Sequence, residues 1–373
     1  MRWLVVPALF VLLAVPAPAA VPDPLLRAAT ARDRVAYSGE QLLATWDARG
    51  AHVAWVHVQH DPATGTRLVY RVDAEANRRR VVWHLPQRTV EYELRTRSGR
   101  WYRADQPEVS AQTQLSWLLQ NYEVATSPSQ ALGRPALRLR ILPRHPGRPR
   151  ADLRVDAGTG VVLRSERVSP DGRTRELVAF VNFNPRPVGW MRSWRLPADL
   201  TLRQEPSPQP ATVQQITERL GRRPPDLQLP PGFFPLTGYL LEPASPTVRR
   251  LYSDGLSSLV LSLRPALSAA PPAGSRRLDR ARGPAWLHSM GMRHALYWAS
   301  QGWSFTLAGD LSPEVLLQVA DTTGVQPPPS PLDGVLQWLR RLLGADADAW
   351  SSSLRLRRVA GRWPQETPSP REE

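Results

Sequence analysis

Apolar residues alternate along much of the first half of the chain. In His52–His60, Val53, Trp55 and His57 fall on one side, and Ala54, Val56 and Val58 on the other. Leu68, Tyr70 and Val72 share a side of Arg67–Asp73, and Val81, Trp83 and Leu85 share a side of Arg80–Leu85. Val90, Tyr92 and Leu94 oppose Glu91, Glu93 and Arg95. A period of two marks strands with one dry and one wet face. Strands return at Leu137–Ile141, Ala151–Asp156, Gly160–Val168 and Arg175–Phe183, with turns at Asp61–Gly65, Ser98-Gly99, Gly158–Gly160 and Ser169–Gly172. One segment breaks the period. Leu115, Leu118, Leu119 and Tyr122 recur at helical spacing within Ser110–Tyr122, and Ser110 is placed to cap it. Residues 22–196 are therefore expected to form an antiparallel sheet of about ten strands, strongly curved around helices.

Pro197–Pro210 carries four prolines and few apolar residues, which predicts a semi-rigid linker. A second, smaller α+β unit is expected over residues 211–326. It opens with an amphipathic helix on Val213, Ile216 and Leu220 that stops at Gly221. Asp254-Gly255 predicts a tight turn, and Leu256, Leu259, Leu261 and Leu263 predict a strand after it. A Pro- and Arg-rich loop covers Pro265–Gly283. Trp286–Met292, His294–Ser300 and Trp303–Gly309 read as a meander, with Gln301-Gly302 as a hairpin turn. Ser312-Pro313-Glu314 opens a last helix through Ala320. Beyond it, residues 327–373 are expected to hold a proline linker, an amphipathic helix at Leu332–Leu343 and a loose tail. That helix either docks on the protein or makes a peripheral membrane contact.

The first residues change the setting. Arg2, the uncharged run Trp3–Val15 and the Ala17-Pro18-Ala19 pattern predict a cleaved signal peptide over residues 1–19. The expected location is periplasmic or otherwise extracytoplasmic. The 373 residues contain no cysteine, so there are no disulfides, thiol nucleophiles or thiolate metal sites. All 48 basic residues are arginine and the formal net charge is +15. Export argues against nucleic acid as the partner. Acidic protein segments and anionic lipid head groups suit guanidinium forks better.

No catalytic motif is present: no G-x-S-x-G, P-loop, G-x-G-x-x-G or H-E-x-x-H. His52, His57, His60 and His84 are the clustered histidines, and the three-residue step from His57 to His60 puts them on opposite faces of a strand. No catalytic residue, metal site or cofactor is expected. The aromatic residues of the first unit have two readings. They are core filler, or they line the apolar concave face of an incompletely closed barrel that holds an acyl chain or apolar peptide. Trp55, Tyr70, Trp83, Tyr92 and Trp101 are the candidate ligand-binding residues in the second reading.

Leu251-Tyr252-Ser253-Asp254-Gly255-Leu256, followed by a Ser-rich apolar strand, resembles the second domain of the sigma-E regulatory proteins of the RseB/MucB family. Leu229-Pro230-Pro231-Gly232-Phe233, Gly302–Asp310 with Leu311-Ser312-Pro313-Glu314, Tyr37-Ser38-Gly39 and Phe180–Asn184 extend the match over roughly residues 25–325. The resemblance implies a first domain like the carriers LolA and LolB, an open half-barrel around helices, and a smaller α+β second domain. It implies a regulatory binding protein that holds the extracytoplasmic domain of a membrane anti-sigma factor and responds to lipid-like envelope signals. Arg249, Arg250 and Tyr252, the last expected at the surface, are the candidate partner contacts. The alternative is a periplasmic carrier of lipid or lipoprotein acyl chains that uses the same half-barrel.

Overall fold

The computed structural model describes residues 23–47, 50–73, 78–103, 109–186, 195–266 and 271–323. The expected signal peptide and the Leu332–Leu343 helix lie outside the described residues. Two sheets dominate.

The first sheet has twelve strands and is open. Six strands follow one another: β1 (Tyr37–Asp47), β2 (Gly50–Asp61), β3 (Gly65–Asp73), β4 (Arg78–His84), β5 (Arg88–Glu93) and β6 (Ser98–Arg103). After a helix come β7 (Tyr122–Ala131), β8 (Arg134–Pro143), β9 (Arg150–Asp156), β10 (Val162–Val168) and β11 (Arg175–Asn184). β11 returns to pair with β1, so the spatial order is β6-β5-β4-β3-β2-β1-β11-β10-β9-β8-β7. A last strand, β12 (Thr201–Gln204), adds in parallel to β6. All other pairs are antiparallel, as the alternating pattern predicts.

Helix α1 (Asp23–Thr30) and helix α2 (Ala111–Asn121) cover one face of this sheet. Leu25, Leu115 and Leu118 pack on Tyr122, Leu139, Ile141, Ala151 and Val155. The turn after α1 places Ala31 against Val56, Val58, Val161, Leu163 and Phe180. Ser110 caps α2, its hydroxyl accepting from the Thr113 amide at 3.2 Å.

The second sheet has nine strands. They are β13 (Gln209–Ala211), β14 (Phe234–Pro235), β15 (Tyr239–Leu241), β16 (Val248–Ser253), β17 (Ser258–Pro265), β18 (Arg276–Leu278), β19 (Ala285–Met290), β20 (Arg293–Ser300) and β21 (Trp303–Gly309). Helix α3 (Val213–Leu220) begins with a Thr212–Gln215 capping box and ends at Gly221 in the left-handed region, as expected. Helix α4 (Pro313–Thr322) runs two residues past the expected end. Leu259, Leu261 and Leu263 are all buried on the core face, with Leu296, Leu307, Leu316 and Ile216 around them. Trp298 stacks on Phe305 at 4.7 Å. Gln301 and Gly302 both have positive φ, 51° and 73°, which is the type I′ geometry a two-residue hairpin favours.

Three segments differ from expectation. Residues 197–210 do not form a bare linker: they supply β12 to the first sheet and β13 to the second. Ser98-Gly99 begins β6, and the turn sits just before it, with Arg97 at φ 51°. The Pro265–Gly283 loop contains β18. In the first case pairings with distant strands override local composition, and in the other two a hairpin with the neighbouring strand does.

Burial makes part of the stability of this fold depend on pH. His57, His60, His84 and His294 are all held below the ordinary histidine value, and burial is the leading cause in each. His60 lies between the Thr66 hydroxyl and the Arg32 carbonyl, each at 2.7 Å. The folded chain therefore binds protons at these rings less readily than the unfolded chain. Their contribution to stability is complete above the ordinary histidine value and is lost as pH falls through the lower folded value. The urea midpoint is expected to fall between about pH 7.5 and about pH 5.5, and His60→Gln should flatten the slope. Equal midpoints at the two pH values would contradict this.

Candidate functional site

The Asp254 turn does more than reverse the chain between β16 and β17. Its Oδ1 accepts from the Leu256 amide at 3.0 Å and the Ser257 amide at 2.7 Å, which is the expected turn chemistry. Ser253 completes the turn, its hydroxyl accepting from Gly255 and donating to the Ser257 carbonyl, both at 3.0 Å. The other carboxylate oxygen points across to the first sheet. It accepts from the Tyr122 hydroxyl at 2.9 Å and lies 3.2 Å from Nη1 of Arg148. Asp254 is 0% exposed and Arg148 3%. The turn between β16 and β17 thus also docks the second sheet on the first.

Further contacts surround this ion pair. Arg148 donates to the Pro231 carbonyl, and its guanidinium lies 5.0 Å from the Phe233 ring centre. Asn121, at the end of α2, donates to the carbonyls of Gly232 at 2.9 Å and Asp254 at 3.1 Å. Trp117 stacks on Phe234 at 4.8 Å. The Ser312 amide donates to the Gly147 carbonyl at 2.9 Å, and Arg167 pairs with Asp310. Two glycines are needed for this approach. A Cβ on Gly255, where φ is 98°, would sit 2.3 Å from the Leu118 amide nitrogen; one on Gly232 would sit 1.8 Å from Oδ1 of Asn121.

Burial pushes the Asp254 carboxyl up, against the Ser257 and Leu256 amides, Arg148 and Tyr122, which favour its charged form. Burial and the Asp254 charge together push the Tyr122 hydroxyl up, so it remains a donor.

The predicted aromatic set does not share one face. Register places Tyr70 beside Val56, on the face that the helices cover. Trp55 pairs with Leu42 and Arg71 on the opposite face. Trp83, Tyr92 and Trp101 also lie on that opposite face, where Trp83 pairs with Val90 and Val90 with Trp101. Trp83 and Tyr92 are buried, and the Val81–Val90–Tyr92 cluster is covered by Leu196, Leu200 and Leu202. Trp83 and Tyr92 therefore do not face open solvent. A single concave aromatic lining is corrected by strand parity: Tyr70 and Trp83 pair with residues of opposite orientation on neighbouring strands.

Tyr252 is also corrected. It is 5% exposed, because Val248, Arg250 and Tyr252 face inward with Leu263, Leu261 and Leu259 across the β16–β17 pair. Burial raises its hydroxyl to about 12. Arg250 lies over the rings of Tyr239 and Tyr252, at 4.8 and 5.2 Å. Arg249 remains at the surface, paired with Glu242 at 2.9 Å.

His57 and His60 do face opposite sides of β2, as expected. Among the described residues there is no group of three or more His, Asp or Glu placed to hold a metal ion. Among them, too, no helix is long and apolar enough to cross a membrane.

No protein-family model matches the sequence, and no curated protein matches it. Solved structures do. The MucA/MucB complex of Pseudomonas aeruginosa matches at 19% identity and a TM-score of 0.52, over 80% of this chain and 96% of that chain. MucB in complex with MucA(peri) matches at 18% identity and 0.52, over 80% and 97%. The likeness is one of fold across both sheets, as the resemblance to RseB/MucB proteins implied.

The buried pair is testable by a double-mutant cycle. Arg148→Met alone leaves the Asp254 carboxylate buried without its counter-charge, and Asp254→Asn leaves Arg148 in the same position. Each is expected to cost about 3–5 kcal/mol in urea unfolding. The double variant should cost less than the sum of the two, because no unpaired charge remains. Simple additivity would mean that the two side chains do not act as a pair.

Proposed function

We propose that this chain is an exported regulatory binding protein for the extracytoplasmic part of a membrane anti-sigma factor. The observation that carries this reading is the pair of sheets, joined through the Tyr252–Leu256 turn and shared in fold with MucB, which is found in complex with MucA(peri). In this reading residues 22–196 and 211–326 are two domains, and residues 197–210 join them by giving one strand to each. Arg249 and the surplus of arginine would meet acidic side chains on the partner.

A lipid-like signal is the second part of the proposal. It would enter on the helix-covered face of the first sheet, towards which Tyr70 points together with Val56, Val58 and Leu68. The LolA-type carrier is the rival reading. A carrier needs only the first sheet, and would not require a second sheet fixed to it through a fully buried ion pair.

The test is titration calorimetry of the mature protein with the extracytoplasmic segment of an anti-sigma factor from the same genome. Saturable binding that weakens as salt rises is expected, because exposed charge pairs are screened. An affinity independent of salt would make the contact apolar. No binding to the segment, together with acyl chains extracted from the purified protein, would replace the regulator with the carrier.

A further inference from the structure

The face of the first sheet opposite α1 and α2 carries a band of arginine that the reading above does not use. Strand register fixes it. Arg138, Arg154 and Arg164 lie side by side across β8, β9 and β10; Arg140, Asp152 and Glu166 form the next row, and Arg150, Val168 and Arg175 the one after. Two adjoining shallow grooves of about 330 and 420 Å³ run over these rows and share Glu166 and Arg175. Together they are lined by six arginines, Arg138, Arg140, Arg150, Arg164, Arg173 and Arg175, against two carboxylates. Asp152 is taken by Arg138 at 2.7 Å, and Glu166 is shared by Arg164 at 3.1 Å and Arg175 at 3.8 Å. No described carboxylate pairs with Arg140 or Arg150.

Exposed apolar side chains continue the same face. Arg175 pairs with Trp46, Ala44 with Val53, and Leu42 with Trp55. Trp46 is 40% exposed, Val53 57% and Trp55 41%. Exposed indole rings on the same face as the unpaired Arg140 and Arg150 match the chemistry of a bilayer interface: arginine forks take lipid phosphates and tryptophan sits at head-group depth. The band lies mid-sheet, with β7 and β12 as the edges, so an extended peptide has no strand edge to join there. We propose that this face is a docking surface for a bilayer of anionic phospholipid.

The test is co-sedimentation of the full chain with vesicles of phosphatidylcholine, alone or mixed with phosphatidylglycerol. Binding to the mixed vesicles only is expected, weakening as salt rises. The double variant Arg140→Gln, Arg150→Gln breaks no ion pair among the described residues and should retain the parent's thermal unfolding. Its binding should fall more than tenfold, at roughly fivefold for each charge removed. Trp46→Ser with Trp55→Ser should weaken binding while leaving its salt dependence intact. Parent-like binding by the arginine variant would overturn the proposal, because another element would then hold the membrane. So would failure to bind either vesicle. Binding of polyglutamate but not of vesicles would assign the face to an acidic protein instead.

Discussion

The contact on which the two-sheet arrangement depends is the buried pair of Asp254 and Arg148. One carboxylate oxygen closes the β16–β17 turn through two amides, and the other meets Tyr122 and Arg148 from the first sheet. One side chain thus fixes both a local reversal and a long-range junction. A buried charge is costly unless it is paired and fully hydrogen-bonded. Here the cost makes the junction selective. Sliding the second sheet would strand the carboxylate or the guanidinium away from water. Gly255 and Gly232 add a steric condition, because any side chain there would enter Leu118 or Asn121.

Much of the architecture was legible because strand parity is a local signal. The alternation of Leu259, Leu261 and Leu263 gave their common burial, and Gln301-Gly302 gave the β20–β21 hairpin. Helix α2 followed from Leu115 and Leu118 together with the Ser110 cap. Parity within one strand does not, however, say which face of the next strand lies beside it. The aromatic set therefore looked continuous in sequence and is split in space, with Tyr70 on the helix side and Trp83, Tyr92 and Trp101 on the other. Strand β7 was hidden by Pro128, which is tolerated because β7 is an edge strand.

The junction was not legible for a different reason. Asp254 carries a full turn signature, which accounts for its presence without any partner. Arg148 is one of 48 arginines in the sequence, with no local feature that separates it from Arg140 or Arg150. Only the fold distinguishes the arginine buried under Phe233 from those left in solvent. The same limit hid Tyr252, whose polar ring read as a surface contact until Val248 and Leu259 placed it in the core.

Arginine performs opposite tasks on the two sides of the first sheet. On the junction side Arg148 and Arg167 are each consumed by a carboxylate of the second sheet. Arg148 is withdrawn from solvent and Arg167 is half-buried, so they set geometry rather than attract a partner. In the grooves on the face opposite α1 and α2 guanidinium groups outnumber carboxylates, and Arg140 and Arg150 are exposed. Net positive charge alone would describe both sets equally. Burial separates them: a desolvated arginine specifies one contact, whereas a solvated band raises the local concentration of any anion that meets it. A ligand on the helix side would therefore act close to the elements that hold the second sheet. An anionic surface on the opposite side could be engaged without disturbing that junction. The curved sheet keeps the two apart because successive side chains along each strand face opposite ways.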